Sequence, residues 1–193
     1  MPDLIRHPTV FLAACGALSA WLGLQFNDGN YGEAPQPGLY MVLTGVWFGL
    51  ALGVGLWRFG HVSPAGVIMV MLVTWIAWEA AVNVAIQIDG PLLAAAGPSL
   101  IKSCLAGFVA GAVGAAITWA GAAAFVPSLR RPVAVSSIVM AGALLGVLLP
   151  ATNYFDGGAV LLVAWQTAVA GLIGLNMLGS ERPRSRVTLA AGG

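Results

Sequence analysis

Long apolar segments alternate with short polar connections along most of this chain of 193 residues. Each segment approaches the ~20 residues that an α-helix needs to cross a hydrocarbon core. Helix is the predicted state because a segment in lipid must satisfy its backbone hydrogen bonds internally, and these runs lack the alternation of barrel strands. The sequence predicts an all-α membrane protein with six transmembrane helices, at about Thr9–Gln25, Leu39–Arg58, Ala65–Ile88, Ser99–Phe125, Val133–Pro150 and Ala159–Leu178.

Composition supports the same class of protein. Hydrophobic residues make up 59% of the chain and charged residues 8%, against about 25% charged residues in soluble domains. This imbalance excludes an ordinary water-soluble globule. A net charge of +1 gives no basis for nucleic-acid binding. We therefore expect a six-helix transmembrane domain over residues 1–179 and a short, disordered, basic cytoplasmic tail over residues 180–193.

The basic residues predict how the helices are oriented. If the connections alternate between the two sides, one side collects seven of the eight basic residues, and Lys102 alone lies near the other. Basic residues concentrate on the cytoplasmic side of membrane proteins. We therefore expect an integral protein of a bacterial inner (plasma) membrane, with the lipid bilayer as partner and both termini in the cytoplasm. The cytoplasmic set is Arg6, Arg58, Arg130, Arg131, Arg182, Arg184 and Arg186.

The first apolar segment has an alternative interpretation. A basic residue followed by an apolar run is typical of a cleaved signal peptide, and residues 17–20 (ALSA) resemble a cleavage site. The run continues without a break through Trp21 and Leu24, however, and keeping it gives an even number of spans. We favour a retained helix.

Similar residues recur at the two ends of the odd-numbered segments. Each begins near a basic residue and a proline, and each is followed by an acid–glycine pair: Asp28-Gly29, Asp89-Gly90 and Asp156-Gly157. Proline suits a first helical turn, and Asp-Gly suits a tight turn. The chain is either three parallel copies of a helical hairpin or simply three hairpins that need similar turns.

Glycines recur four residues apart on three segments. Small residues at this spacing let helix backbones approach closely in lipid, where no hydrophobic effect drives association. The pattern indicates a tight bundle. The alternative is that these glycine-rich faces bind other subunits, in a homo-oligomer or a hetero-complex. The glycines are Gly45, Gly49 and Gly53, then Gly107 and Gly111, then Gly142 and Gly146.

Glu79 is the acidic residue that lies deep inside an apolar segment. Residues four apart share a helix face, so Glu79, Asn83 and Gln87 form one polar stripe. An acid at this depth costs roughly 2.5–3.5 kcal/mol on insertion scales, so it needs a partner or a role. It either lines a path for protons, cations or solutes, or anchors packing by hydrogen bonds. In the second case we expect glutamine to replace it almost silently.

Further polar and aromatic candidates lie on other segments. Lys102 is expected near the outer end of the fourth segment, where it binds Asp89 or lipid headgroups, or else an anion in a vestibule. Gln166 is expected to meet the stripe if the third and sixth helices are neighbours. Buried indoles need a hydrogen-bond acceptor, which Glu79 or Gln166 supplies. The deep tryptophans are ordinary core residues or the walls of a solute pocket, for which the candidates are Trp75, Trp78 and Trp165.

No motif in the sequence specifies a reaction. Neither histidine is placed for haem or a metal at membrane depth, and the signatures of metalloproteases, serine hydrolases and P-loop enzymes are missing. We expect no catalytic residues, no metal and no cofactor, and an enzyme acting on lipid or quinone ranks last. The first hypothesis is a small-solute or ion permease, channel or membrane-embedded solute-binding subunit with a polar path on the third helix. The alternative is a non-catalytic structural or assembly subunit of a larger membrane complex.

Overall fold

A computed structural model describes residues 6–26, 38–40, 42–97, 99–153 and 158–178. Within these ranges the chain forms six helices that are long and apolar enough to cross a membrane, which confirms the predicted all-α membrane bundle. The basic tail, and the acidic residues Asp28, Glu33 and Asp156, lie outside the described residues. The helices are α1 (Pro8–Gln25), α2 (Val42–Gly60), α3 (Pro64–Asp89), α4 (Leu100–Phe125), α5 (Pro132–Gly146) and α6 (Ala159–Met177).

Local sequence explains most of the helix starts. Proline occupies the first helical position of α1, α3 and α5, where its missing N–H costs no hydrogen bond. Serine caps α3 and α4, because Ser63 Oγ accepts from the Gly66 N–H and Ser99 Oγ from the Lys102 N–H.

Two helix ends differ from the approximate predicted segments, although the fifth apolar span, Pro132–Ala151, contains the predicted Val133–Pro150. The second helix begins at Val42, and residues 38–40 before it are not helical. The fifth ends at Gly146, and a short 3₁₀ turn at Leu149–Asn153 follows it. Pro150 explains the second correction, since proline has no N–H for the carbonyl four residues earlier and its ring crowds that carbonyl.

The six helices form an up-and-down ring in which each helix packs against the next in the chain and α6 packs against α1. Contacts between α1 and α6 show the antiparallel direction, because Gly174 lies against Pro8 while Gly16 lies against Gln166. The same reversal holds between α2 and α3, where Gly45 lies against Trp78 and Gly53 against Val67. This order is what three successive hairpins produce.

The glycines form the seams of this ring. Gly107 packs directly on the backbone of Gly146, and Gly111 on that of Gly142, so α4 and α5 touch backbone to backbone. Gly49 lies against the backbone of Met71 in the same way. These glycine faces are therefore taken up by contacts inside the bundle, as the tight-bundle interpretation requires.

Large apolar side chains cover the outside of the ring. Ile76, Leu144 and Trp57 are more than half exposed, whereas the interior between the helices holds many small residues. An outer surface of this kind suits lipid, which is as apolar as these side chains. Phe48 of α2 and Trp165 of α6 meet across the centre, with ring centroids 5.7 Å apart.

Arginines cluster at one end of the bundle, which we call the basic end. Arg130 donates to the carbonyls of Ala123 and Ala124 at the end of α4, and Arg131 donates to the Asn176 carbonyl at the end of α6. Cations are favourable at these helix C-termini because the last carbonyls carry partial negative charge. Arg58 lies over the Phe11 ring, 5.3 Å from its centroid.

Candidate functional site

Glu79 lies at the α2-facing side of α3, and its side chain is 8% exposed. Oε2 accepts a hydrogen bond of 2.8 Å from the backbone N–H of Tyr40. Oε1 accepts one of 3.2 Å from the indole N–H of Trp75, one helical turn earlier. Each oxygen of the carboxyl group therefore binds one neutral N–H donor, and the indole has the partner that the sequence predicted for a deep tryptophan.

Asn83 continues the same face of α3 and binds the same short segment. Its Oδ1 accepts from the Gly38 N–H at 2.9 Å, while its Nδ2 donates to the Gly38 carbonyl at 2.8 Å. The Nδ2 group also donates to the Glu79 carbonyl at 2.8 Å. We call Glu79 and Asn83, with residues 38–40, the clasp. It fixes the chain entering α2 against α3.

Spacing explains why the clasp works. Residues 79 and 83 share one helix face because they lie four apart, and the N–H groups that they bind belong to residues 38 and 40. The two side chains thus reach main-chain groups at every second position of the segment. Glu79 and Asn83 do lie on one face of α3, as the sequence predicted. Their partner is a backbone segment 39 to 45 residues away in the sequence.

The clasp changes the expectation for a glutamine at position 79. Each of the two carboxyl oxygens accepts from one N–H donor, whereas a glutamine amide presents one acceptor oxygen and one NH₂ donor. In either orientation the NH₂ group would face the N–H of Tyr40 or of Trp75. This geometry leads us to expect that glutamine at position 79 is not silent in an anchoring role.

The other polar candidates at this end of α3 and α4 lie outside the clasp. Gln87 is half-buried one turn beyond Asn83, and Lys102 is half-buried near the start of α4. Asp89 accepts a 2.9 Å hydrogen bond from Ser103 rather than from Lys102. Among the described residues Lys102 makes no ion pair, and only its backbone N–H is held, by Ser99.

Gln166 belongs to a separate polar contact between α6 and α1. Its side chain is fully buried, and Oε1 lies 2.6 Å from Ser19 Oγ, which in turn lies 2.8 Å from the Gly16 carbonyl. A hydroxyl has one proton and cannot donate to both. Turning the amide by 180° lets Nε2 donate to Ser19 while Ser19 donates to Gly16, so we assign that orientation. None of the described hydrogen bonds connects Gln166 with the clasp.

A cavity of about 90 Å³ lies between α3, α4, α5 and α6, towards the end opposite the arginines. Trp78 and Trp165 form two of its walls, and small residues such as Ala110 and Gly146 form the others. Two of the three predicted pocket aromatics are thus together, while Trp75 donates a hydrogen bond to Glu79 of the clasp. The Trp165 indole donates to the Gly142 carbonyl at 3.1 Å.

Sequence reasoning missed several groups in these contacts. The backbone of residues 38–40 offers no side-chain signal. Ser19 does carry one, since it is a polar residue at membrane depth on α1, and it should have been considered as a partner for Gln166. Among the described residues, no group of three or more His, Cys, Asp or Glu side chains is arranged to hold a metal ion.

No protein-family model, curated protein or solved structure matches this chain. The functional argument therefore rests on the geometry of the clasp and the cavity.

Proposed function

We propose that this multi-pass membrane protein is a small permease or membrane-embedded solute-binding subunit, and that its solute occupies the cavity between α3, α4, α5 and α6. The observation that carries the proposal is the cavity itself, which opens among four helices and has two indole rings as walls. Ligand sites in helical bundles are concave, mostly apolar spaces between helices, often walled by aromatic side chains.

The clasp has a positioning role in this proposal. The two carboxyl oxygens of Glu79 already bind the Tyr40 N–H and the Trp75 indole. The oxygen and the nitrogen of the Asn83 amide already bind the main chain of Gly38. They hold the chain entering α2 on the wall of the bundle that carries Trp75 and Trp78. Gln87 and Lys102 lie at the same end, and Lys102, which makes no ion pair among the described residues, is the candidate for contact with a polar part of the solute.

A second candidate is a non-catalytic structural or assembly subunit of a larger complex. Two observations favour it. The hydrogen-bonded carboxyl group of Glu79 has the form of an internal anchor, and the backbone contacts of Gly107 with Gly146 rigidify the ring. The two candidates predict different molecules bound to the protein after its extraction from the membrane.

Native mass spectrometry of the chain released with its own lipids separates them. The proposal predicts the chain alone or as a homo-oligomer, carrying a small molecule at a fixed ratio. Recovery with other protein subunits in fixed ratio, and no retained small molecule, would contradict the proposal and favour the structural subunit.

A further inference from the structure

We propose that the cavity selects a hydrocarbon chain, so that the ligand of this protein is an alkyl-bearing amphiphile and not a polar solute or an ion. The inference rests on the proposed solute-binding function and names the chemical class of the ligand.

The surface that the walls turn towards the cavity is apolar. α3 contributes alanine and valine, α4 contributes glycine and alanine, and α6 contributes leucine. The indole N–H of Trp165 is already bound to Gly142. The indole N–H of Trp78 has no hydrogen-bond partner among the described residues, and Cδ1 beside it lies towards α2, where a β-carbon on Gly45 would come within 3.1 Å.

Size and polarity together determine what can occupy this space. A volume of about 90 Å³ is several times the ~10–15 Å³ that one water needs on the same measure, but a buried water also needs 2–4 polar partners. An apolar cavity of ~150 Å³ is known to stay dry and to bind benzene. The present cavity is smaller, so it suits a narrow alkyl chain better than an aromatic ring.

The early end of α5 accounts for the cavity. The helix stops at Gly146, four residues before Pro150, and Leu149 in the following turn lines the space together with Gly146. The turn that follows packs on α4 and α6, with Leu149 against Gly107. The space is thus built into the backbone, and small residues facing it on α3 and α4, such as Ala81 and Ala110, keep it open.

Photolabelling tests the inference on the full chain in lipid nanodiscs. The probes are a free long-chain alcohol with a diazirine near its chain end, and a phosphatidylcholine with the same group in one acyl chain. We expect carbene insertion at cavity residues that bulk lipid cannot reach, above all Leu162, which is 4% exposed, in addition to lipid-facing Ile76. Labelling confined to lipid-facing positions would overturn the inference.

Cavity-filling variants provide the control. Ala110→Leu should abolish labelling of Leu162 and leave that of Ile76 unchanged, and Ala85→Leu serves if the first variant does not fold. Ala124→Leu makes the same change at an exposed position of α4 and should alter the labelling of neither Leu162 nor Ile76. Labelling of Leu162 that survives both cavity variants would also refute the inference.

The two probes distinguish the source of the bound hydrocarbon. They also separate this inference from the proposed function. Labelling by the free alcohol supports a solute with an alkyl group, and labelling by the phospholipid supports a lipid tail. If labelling occurs but the chain is recovered in fixed ratio with other subunits, the hydrocarbon site stands and solute binding fails. If a retained polar molecule survives Ala110→Leu and no labelling occurs, solute binding stands and the hydrocarbon inference fails.

Discussion

Glu79 shows how a single acidic residue in an apolar helix can be stabilised without an opposite charge. Its two oxygens accept from a backbone N–H and an indole N–H, at 2.8 and 3.2 Å. A buried polar group left without its hydrogen bond costs about 1–3 kcal/mol, which is the same scale as the cost of placing an acid at membrane depth. Anchoring the segment before α2 is therefore sufficient to explain why this residue is present.

Glu79→Gln should lower the stability of the folded protein by about 1–3 kcal/mol, because it leaves one buried N–H facing an amide NH₂ group. Thermal unfolding followed by circular dichroism in detergent micelles measures the effect. Ser136→Ala, on an exposed face of α5, is the control and should change stability by less than about 0.5 kcal/mol. A Glu79→Gln protein as stable as the wild type would show that the clasp is not formed.

At the residue scale the sequence predicted which side chains matter but not what they contact. Spacing alone put Glu79 and Asn83 on one face, because the helix period is fixed. Their partner is main chain of residues 38 and 40, which no composition or motif marks. Gln166 was expected to meet the stripe if α3 and α6 were neighbours, but its side chain contacts Ser19 of α1, because its partner depends on the order of helices around the ring.

The elements were predicted well wherever a local signal exists. Prolines and serines at the first turns explain the starts of α1, α3, α4 and α5. The end of α5 was missed because the apolar pattern runs on to Pro150, although the proline itself was the available signal for a stop at Gly146. Hydropathy does not mark such helix ends in a membrane protein, because apolar residues continue through turns as well as helices.

The glycine seam between α4 and α5 gives a prediction at the scale of elements. Gly107→Ala should destabilise the fold by about 1–3 kcal/mol or more, because its β-carbon would meet the Gly146 carbonyl oxygen and a backbone cannot move aside as a side chain can. Gly171→Ala on α6 is the matched control, since the nearest atom to its β-carbon would be Ala13 Cβ at 3.3 Å and the nearest backbone atoms would lie 3.9 Å away, at ordinary contact distance.

Thermal unfolding and the monodisperse fraction in size-exclusion chromatography measure both glycine variants. Equal stability of the Gly107 and Gly171 variants would mean that α4 and α5 do not touch at this seam.

For the molecule as a whole, the number and alternation of the spans were readable from hydropathy. The closed ring was not, because closure depends on the contact between α1 and α6, which lie at opposite ends of the sequence. The ring puts Arg58, Arg130 and Arg131 at the basic end and the cavity near the other. The clasp is formed between α3 and the segment before α2, separately from the cavity walls.

The central claim is that the ligand occupies the cavity and that the clasp only positions the chain. The decisive measurement is native mass spectrometry of two variants, Ala110→Leu and Glu79→Gln, each released with its own lipids from preparations that keep their helical circular dichroism. The account predicts that Ala110→Leu loses the retained small molecule while Glu79→Gln keeps it. If Glu79→Gln loses the small molecule while Ala110→Leu retains it fully, the account is contradicted. That result would place the ligand at the polar stripe of α3.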